Sequence, residues 1–472
     1  MRLFQSVVLV SAAVFTVSGQ DKPINPRVTE IVDAVSQERI GEILKKLESF
    51  GTRNIFSSQD DPEHGIGAAR RWIYDQFRGY SPRLQVGYDT WRVKKKGRII
   101  RDVELHNVVA VLPGTMNKDR RIIVSGHYDS AVMARRPQSP ATNGAVADGA
   151  AADPIATDGT QPGGGTPTFD IESKAPGAND DGSGTAAVLE LARVMSRHEW
   201  RNTIVFIAFT AEEEGLVGST LYARKARKDG QIVDAVLNND IVGDDTGGDG
   251  RKNNTSVAVY SEEPADSLSR ELARYIKQAC ERYVPSMRVD LVFRQDRLGR
   301  GGDHAPFNQE GYAAVRFTTP EENYKNQHSL TDTVANMSIP YNTQVVRENA
   351  AALASLALAP KKPVVEEEIT RQGRKMIVSM LGRGKTRYDA QLRWKNENPE
   401  PDLAGYIVVM RSTTSPFWER EIFVGNVTEY TMKNVSIDDR IFGVKAVDKD
   451  GNTSLVSAYI PRPRPALEIE TY

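Results

Sequence analysis

Cysteine is nearly absent. Cys280 is the single one in 472 residues, so no disulfide can form within the chain and no zinc site can be built from several thiolates. Net charge is also missing, since 61 Lys and Arg face 62 Asp and Glu. That balance lacks the electrostatic footprint of a nucleic-acid binder or of a protein held to an anionic membrane. Long apolar runs are lacking too. The run from Val7 to Phe15 is short, follows Arg2, and precedes the small residues Ser18 and Gly19. This is the pattern of a secretory signal peptide over residues 1–19, and the run is too short to span a hydrocarbon core of about 30 Å. Export without disulfides points to a secreted or periplasmic protein of a bacterial envelope or medium. Any metal must then be held by His and carboxylate groups. Cys280 sits in a helical pattern and reads as an inert buried thiol.

The length fits two or three domains. Helical periodicity is predicted over 28–50 and over Ile66 to Tyr80. Strand-like runs follow at Val86 to Val93, His106 to Leu112 and Arg121 to Gly126, with Lys94 to Gly97 as a solvated hairpin turn without a binding role. Further strands are predicted at Thr203 to Thr210, Val233 to Asn239, Thr255 to Tyr260, Val289 to Phe293 and Ala313 to Thr318. Helices are predicted at Thr185 to Val194, Ala265 to Arg282 and Tyr341 to Leu358. This alternation predicts an α/β domain over 28–358, with a mostly parallel central sheet and helices on both faces.

The segment 131–174 is rich in Ala, Gly, Pro, Thr and Asp and poor in large apolar residues. It reads as a flexible surface insertion, or as a lid, since it joins two candidate ligands. Residues 359–364 read as a linker, and 365–465 as a small all-β sandwich. Trp394, Tyr406 and the Val444 to Asp448 strand of that sandwich look like a fibronectin type III module. It holds no catalytic cluster, and its expected role is to dock substrate or surface material.

The chemistry gathers at predicted strand ends. His127 closes one strand, Glu212 and Glu213 follow a second, and Asp240 follows a third. Asp180 lies in the turn Ala175 to Gly184, just before a helix, and His328 comes from a later loop. Each has a bland reading as a core histidine, a cap or a solvated turn. Together they line one rim of one sheet, where open α/β sheets place their ligands. The set suits two zinc ions. Asp180 would bridge them, His127 and Asp240 would complete one ion, and Glu213 and His328 the other. Three carboxylates and one bridging hydroxide would balance two dications. Glu212 is then left as general base, passing a proton from water to the leaving amine. Asp129 would hold the second nitrogen of His127, and Asp332 that of His328.

At these residues the chain resembles the zinc aminopeptidases of clan MH, among them secreted bacterial leucyl aminopeptidases. The resemblance rests on His127-Tyr128-Asp129-Ser130, Ala175 to Gly184, Glu212 to Ser219, Asp240 and His328, and spans about residues 30 to 358. It implies an exopeptidase with a co-catalytic zinc pair acting on peptide or protein substrates, with the same residue roles. It also implies a cis peptide between Asp180 and Asp181. Some relatives place a tyrosine near the last histidine to polarise the scissile carbonyl. Here Gln327 precedes His328, and Tyr324 is the candidate substitute, or else a pocket-wall aromatic. Gly302 to Phe307 resembles a supporting loop of the family, which makes Asp303 and Phe307 substrate-pocket candidates. A carboxypeptidase-like enzyme, a one-zinc glutaminyl cyclase or a non-catalytic binding protein on the same fold are the alternatives.

Overall fold

Capping residues set where the first described helices start. Asn25 accepts a hydrogen bond from the Arg27 amide and Pro26 occupies the first turn, which starts α1 (Pro26–Asp33). The expected single helix over 28–50 is in fact two. Ser36 takes an extended conformation, caps α2 (Gln37–Ser49) through the Arg39 amide, and gives its own amide to Glu190 Oε1 at 2.7 Å. A serine that satisfies the start of a helix in this way breaks the periodic run before it. The computed structural model describes residues 24–134, 169–371, 373–397 and 400–460. The signal-peptide segment and most of the 131–174 insertion therefore lie outside the described residues.

Ile24–Leu358 form one compact unit. After α3 (Gly65–Tyr80) come β1 (Gln85–Val93), β2 (Val103–Leu112), β3 (Asn117–His127), α4 (Gly182–Met195), β4 (Asn202–Phe209), α5 (Val217–Lys228) and β5 (Ile232–Asn239). Then follow β6 (Ser256–Ser261), α6 (Leu268–Tyr283), β7 (Arg288–Val292), α7 (His304–Gln309), β8 (Ala314–Thr318) and α8 (Ile339–Leu358). The strands form one eight-stranded sheet in the order β1-β2-β4-β3-β5-β8-β6-β7. Its centre, β4-β3-β5-β8, is parallel, and the β1-β2 hairpin joins antiparallel at one edge. Every residue of β4 is buried, as a strand covered on both faces requires. Ile123, Val205 and Ile207 pack with Tyr222, Ala223 and Ala226 of α5 and Phe307 of α7.

Parallel register sets the strand ends level. His127 pairs with Phe209, and Asn239 pairs with Phe317. The ends of β3, β4 and β5 thus share one rim, and the turn before α4 is drawn onto it. Gly184 is what permits that approach: a Cβ there would lie 2.2 Å from the Asn239 carbonyl oxygen.

From Ala359 the chain forms a second, strand-rich unit. A three-stranded and a four-stranded sheet share a core of Leu392, Trp394, Tyr406, Val408, Phe442 and Val444. The Trp394 and Tyr406 rings meet edge to face, with centroids 5.4 Å apart.

Candidate metal centre

The rim brings together all five residues expected to hold metal. His127 Nε2 lies 3.3 Å from Asp180 Oδ1 and 3.9 Å from Asp240 Oδ1. His328 Nε2 lies 3.1 Å from Asp180 Oδ2 and 2.9 Å from Glu213 Oε2. Asp180 therefore presents one oxygen to each group. In each of the triples His127-Asp180-Asp240 and Asp180-Glu213-His328, the candidate ligand atoms lie within 4.8 Å of one another. Glu212 belongs to neither triple, though its Oε2 is 4.0 Å from His127 Nε2. With its side chain 13 % exposed, it borders a cavity of about 200 Å³ together with Asp180, Glu213, Asp240 and His328.

Local structure fixes these groups. Asp181 caps α4 by accepting from the Gly184 amide at 2.8 Å, and also accepts from the amides of His127 at 3.0 Å and Ile241 at 3.4 Å. One carboxylate thus joins the ends of β3 and β5 to the start of α4. The peptide between Asp180 and Asp181 is cis. Asp129 supports His127 as expected, but largely through its backbone. Its carbonyl oxygen lies 3.2 Å and its carboxylate 3.6 Å from His127 Nδ1. The carboxylate also accepts from the amides of Glu212 at 3.4 Å and Glu213 at 3.2 Å, which sets the glutamate turn. Asp332 does not serve His328. Its oxygens accept from the amides of Asn179 at 2.8 Å and Asp180 at 3.0 Å, so it orients the Asp180 turn instead.

The model of peptidase family M28 matches residues 107–354, a span that contains every residue named at the rim. A probable zinc metalloprotease of Leptosphaeria maculans is 33% identical over 451 residues, covering 89% of this chain and 94% of that one. The chain belongs to peptidase family M28. A second relative, a probable zinc metalloprotease of Pyricularia oryzae, is 35% identical over 463 residues, covering 90% of this chain and 83% of its own. Both relatives are fungal, so they lend no support to a bacterial source. The LapA aminopeptidase of Legionella pneumophila shares the fold, with a TM-score of 0.51 at 18% identity, over 76% of this chain and 81% of that one. Membership makes this chain a peptidase.

The M28 rim fits a cationic occupant. His127 Nε2 and Glu213 Oε1 are buried and have no hydrogen-bond partner among the described residues. Burial raises the pKa of the Glu212, Glu213 and Asp240 carboxyls, and their mutual repulsion adds to it, against His127, His328 and Arg316. Burial disfavours charge on His127 and His328, yet the surrounding carboxylates outweigh it and raise both well above the ordinary imidazole range. Two imidazoles with the three carboxylates of Asp180, Glu213 and Asp240 are a donor set that zinc accepts.

The pocket expectations fare less well. Phe307 is fully buried in α7, its ring centroid 6.1 Å from those of Phe209 and Tyr222. It is core, because α7 turns its apolar side to the sheet. Asp303 is 1 % exposed and lies outside the cavity wall. Burial raises its carboxyl to about 7. Tyr324 is 56 % exposed and also stands outside the lining, with Arg300 6.0 Å from its ring centroid. The lining instead includes the apolar Met133, Phe169 and Leu216 and the cationic Arg98, Arg297 and Arg300. Met133 and Phe169 are from the two described ends of the 131–174 insertion, and the Phe169 ring meets His328 edge to face at 5.8 Å. Arg98 follows the exposed lysine turn, donates to the Glu213 carbonyl at 2.9 Å and faces the Phe169 ring.

Two buried arginines escaped the sequence reading. Arg53 donates to the carbonyls of Tyr128 at 2.6 Å and of Pro176 and Gly177, each at 2.7 Å. It clamps the segment after His127 to the turn before Asp180. Arg316 lies 3.1 Å from Asp240 Oδ1. An arginine inside the apolar run Ala313 to Thr318 was the available signal, because a buried charge must be paired.

Proposed function

We propose that this M28 peptidase is an exported di-zinc exopeptidase that removes the N-terminal residue of peptides. The observation that carries the reading is the placement of Asp180. Its two carboxylate oxygens face two different His–carboxylate pairs, at 3.3 Å from His127 and 3.1 Å from His328. His127, Asp180 and Asp240 would hold one zinc, and Asp180, Glu213 and His328 the other. The chemistry that zinc supplies when bound is Lewis acidity, which lowers the pKa of water and polarises a carbonyl.

The protein's own groups do the rest. Glu212 lies beside both triples without joining either, and it reaches the cavity. It takes the proton of the attacking water and later gives it to the leaving amine. Asp129 keeps Glu212 in place through the Glu212 and Glu213 amides. The apolar wall of Met133, Phe169 and Leu216 receives the side chain of the residue released. The segment 1–19 directs export, and the C-terminal unit, read as a fibronectin type III-like module, docks substrate or surface material.

Glu212→Gln tests the assignment, since the amide keeps the shape and loses the base. Hydrolysis of a leucine arylamide should fall by roughly 10²- to 10⁴-fold, the usual worth of a positioned general base, while zinc stays at two per chain. Retained turnover would remove Glu212 from the role, and loss of zinc would make it a ligand.

A further inference from the structure

Arg297 and Arg300, which border the cavity, belong to a chain of alternating charges. Arg316 lies 3.1 Å from Asp240 Oδ1 and bonds to Asp296 Oδ2 at 3.1 Å. Asp296 also holds Arg297 at 3.0 Å, and Arg297 reaches Glu322 at 2.6 Å. Glu322 lies 3.5 Å from Arg300. Arg300 donates to Gln327 Oε1 at 2.9 Å, and Gln327 donates to Asp180 Oδ2 at 3.0 Å. The chain therefore runs from one metal group to the other.

Its charges do not cancel once the metal groups are filled. Asp180, Glu213 and Asp240, with one bridging hydroxide, would supply the four negative charges that balance two zinc dications. Asp240 is then no longer available to Arg316. Among the described residues of the chain of charges, three arginines remain against Asp296 and Glu322. One positive charge is left over. Arg297 spends its fork on Asp296, Glu322 and the Gly301 carbonyl. Both side-chain bonds of Arg300 to Gln327 and Glu322 leave from Nη1, and Arg300 forms part of the cavity wall. Arg300 also meets the Tyr324 side chain, and the N–H groups left on its five-donor guanidinium beside the cavity match a planar carboxylate better than any neutral group.

We propose that Arg300 receives a carboxylate of the substrate, so that this enzyme favours peptides bearing a negative charge next to the scissile bond. The assignment rests on the exopeptidase reading and specifies its substrate class. The carboxylate has two possible sources. One is an acidic side chain on the residue released, and the other is the free α-carboxylate of a short peptide.

Two matched pairs separate these sources on the zinc-loaded full chain: glutamate against glutamine 4-nitroanilide, and Leu-Ala against Leu-Ala-amide. The charged member of one pair should show a kcat/KM roughly 10- to 100-fold above its neutral partner, the range that a charge-assisted hydrogen bond supplies. Preference within the first pair identifies the side chain, and preference within the second the α-carboxylate. Arg300→Gln should bring that ratio close to one, and Arg300→Lys should restore part of it. Because each ratio is internal to one protein, it is independent of how much of a variant folds. Equal rates within both pairs for the wild-type enzyme, or a ratio untouched in Arg300→Gln, would overturn the proposal and leave the peptidase reading standing. Hydrolysis of no member of either pair would overturn both.

Discussion

Replacing Arg53 by methionine removes the clamp between the segments that carry His127 and Asp180 while keeping the apolar stem. The side chain is fully buried and makes four hydrogen bonds to carbonyls, those of Leu47 at 3.2 Å, Tyr128 at 2.6 Å, Pro176 at 2.7 Å and Gly177 at 2.7 Å. Burial works against its charge, and the neighbouring carboxylates, Asp332 and Asp129 first, partly restore it. An unsatisfied buried acceptor costs about 1–3 kcal/mol. Four such costs do not add, because the loops can relax and carbonyls keep other routes to water. A net loss of about 3–5 kcal/mol is expected, the usual cost of removing one partner from a buried charged network. Arg53→Lys keeps the charge but cannot reach all four carbonyls at once, so it should recover only part of the loss. Urea unfolding followed by labelling of Cys280 measures this, because the only thiol of the chain is buried within the peptidase unit. Zinc affinity should fall alongside, since Pro176 and Gly177 lead into Asp180. A stability loss below about 1 kcal/mol with unchanged zinc affinity would refute the clamp.

Two further outcomes follow from the same packing. A methyl group on Gly184 would lie 2.2 Å from the Asn239 carbonyl oxygen and 2.4 Å from Asp181 Oδ2, so Gly184→Ala should cost about 3 kcal/mol or more and weaken zinc binding; a wild-type-like unfolding curve would contradict this. Cys280 donates to the Glu348 carbonyl at 3.2 Å, and burial pushes its thiol well above the ordinary range. Alkylation at neutral pH should therefore run at least ~100-fold slower in the native protein than in urea, and rapid native labelling would show that this part of α6 opens.

Much of the candidate centre was legible because most of its residues border a patterned element. His127 closes an apolar strand, Asp240 follows another, and Asp180 precedes a helix whose start is rich in glycine. Parallel register then levels these ends, a consequence of fold class more than of any one residue. What stayed hidden depends on rotation and on distant partners. Phe307 and Asp303 lie within or beside a six-residue helix, too short for periodicity to tell which side meets the sheet. Asp332 stands four residues after His328, much as Asp129 stands two after His127, which suggests the same supporting role. The backbone amides of Asn179 and Asp180 claim it instead, and those amides carry no mark in the sequence. Arg53 has no motif at all. Three of its four partners are carbonyls 75 to 124 residues away, and any sequence would supply carbonyls there. Arg98 was hidden by its neighbours, since the lysines before it are a solvated turn while its own side chain reaches Glu213. The helix expected over 28–50 failed on one residue, Ser36, whose capping preference outweighed the periodicity around it.

Asp180 is proposed to stand between two metal ions, and anomalous diffraction at the zinc edge from crystals of the zinc-loaded protein would locate them. Two peaks about 3.5–4 Å apart, one beside His127 and Asp240 and the other beside Glu213 and His328, with Asp180 touching both, are the predicted result. A single peak, or two peaks that Asp180 does not join, would contradict it.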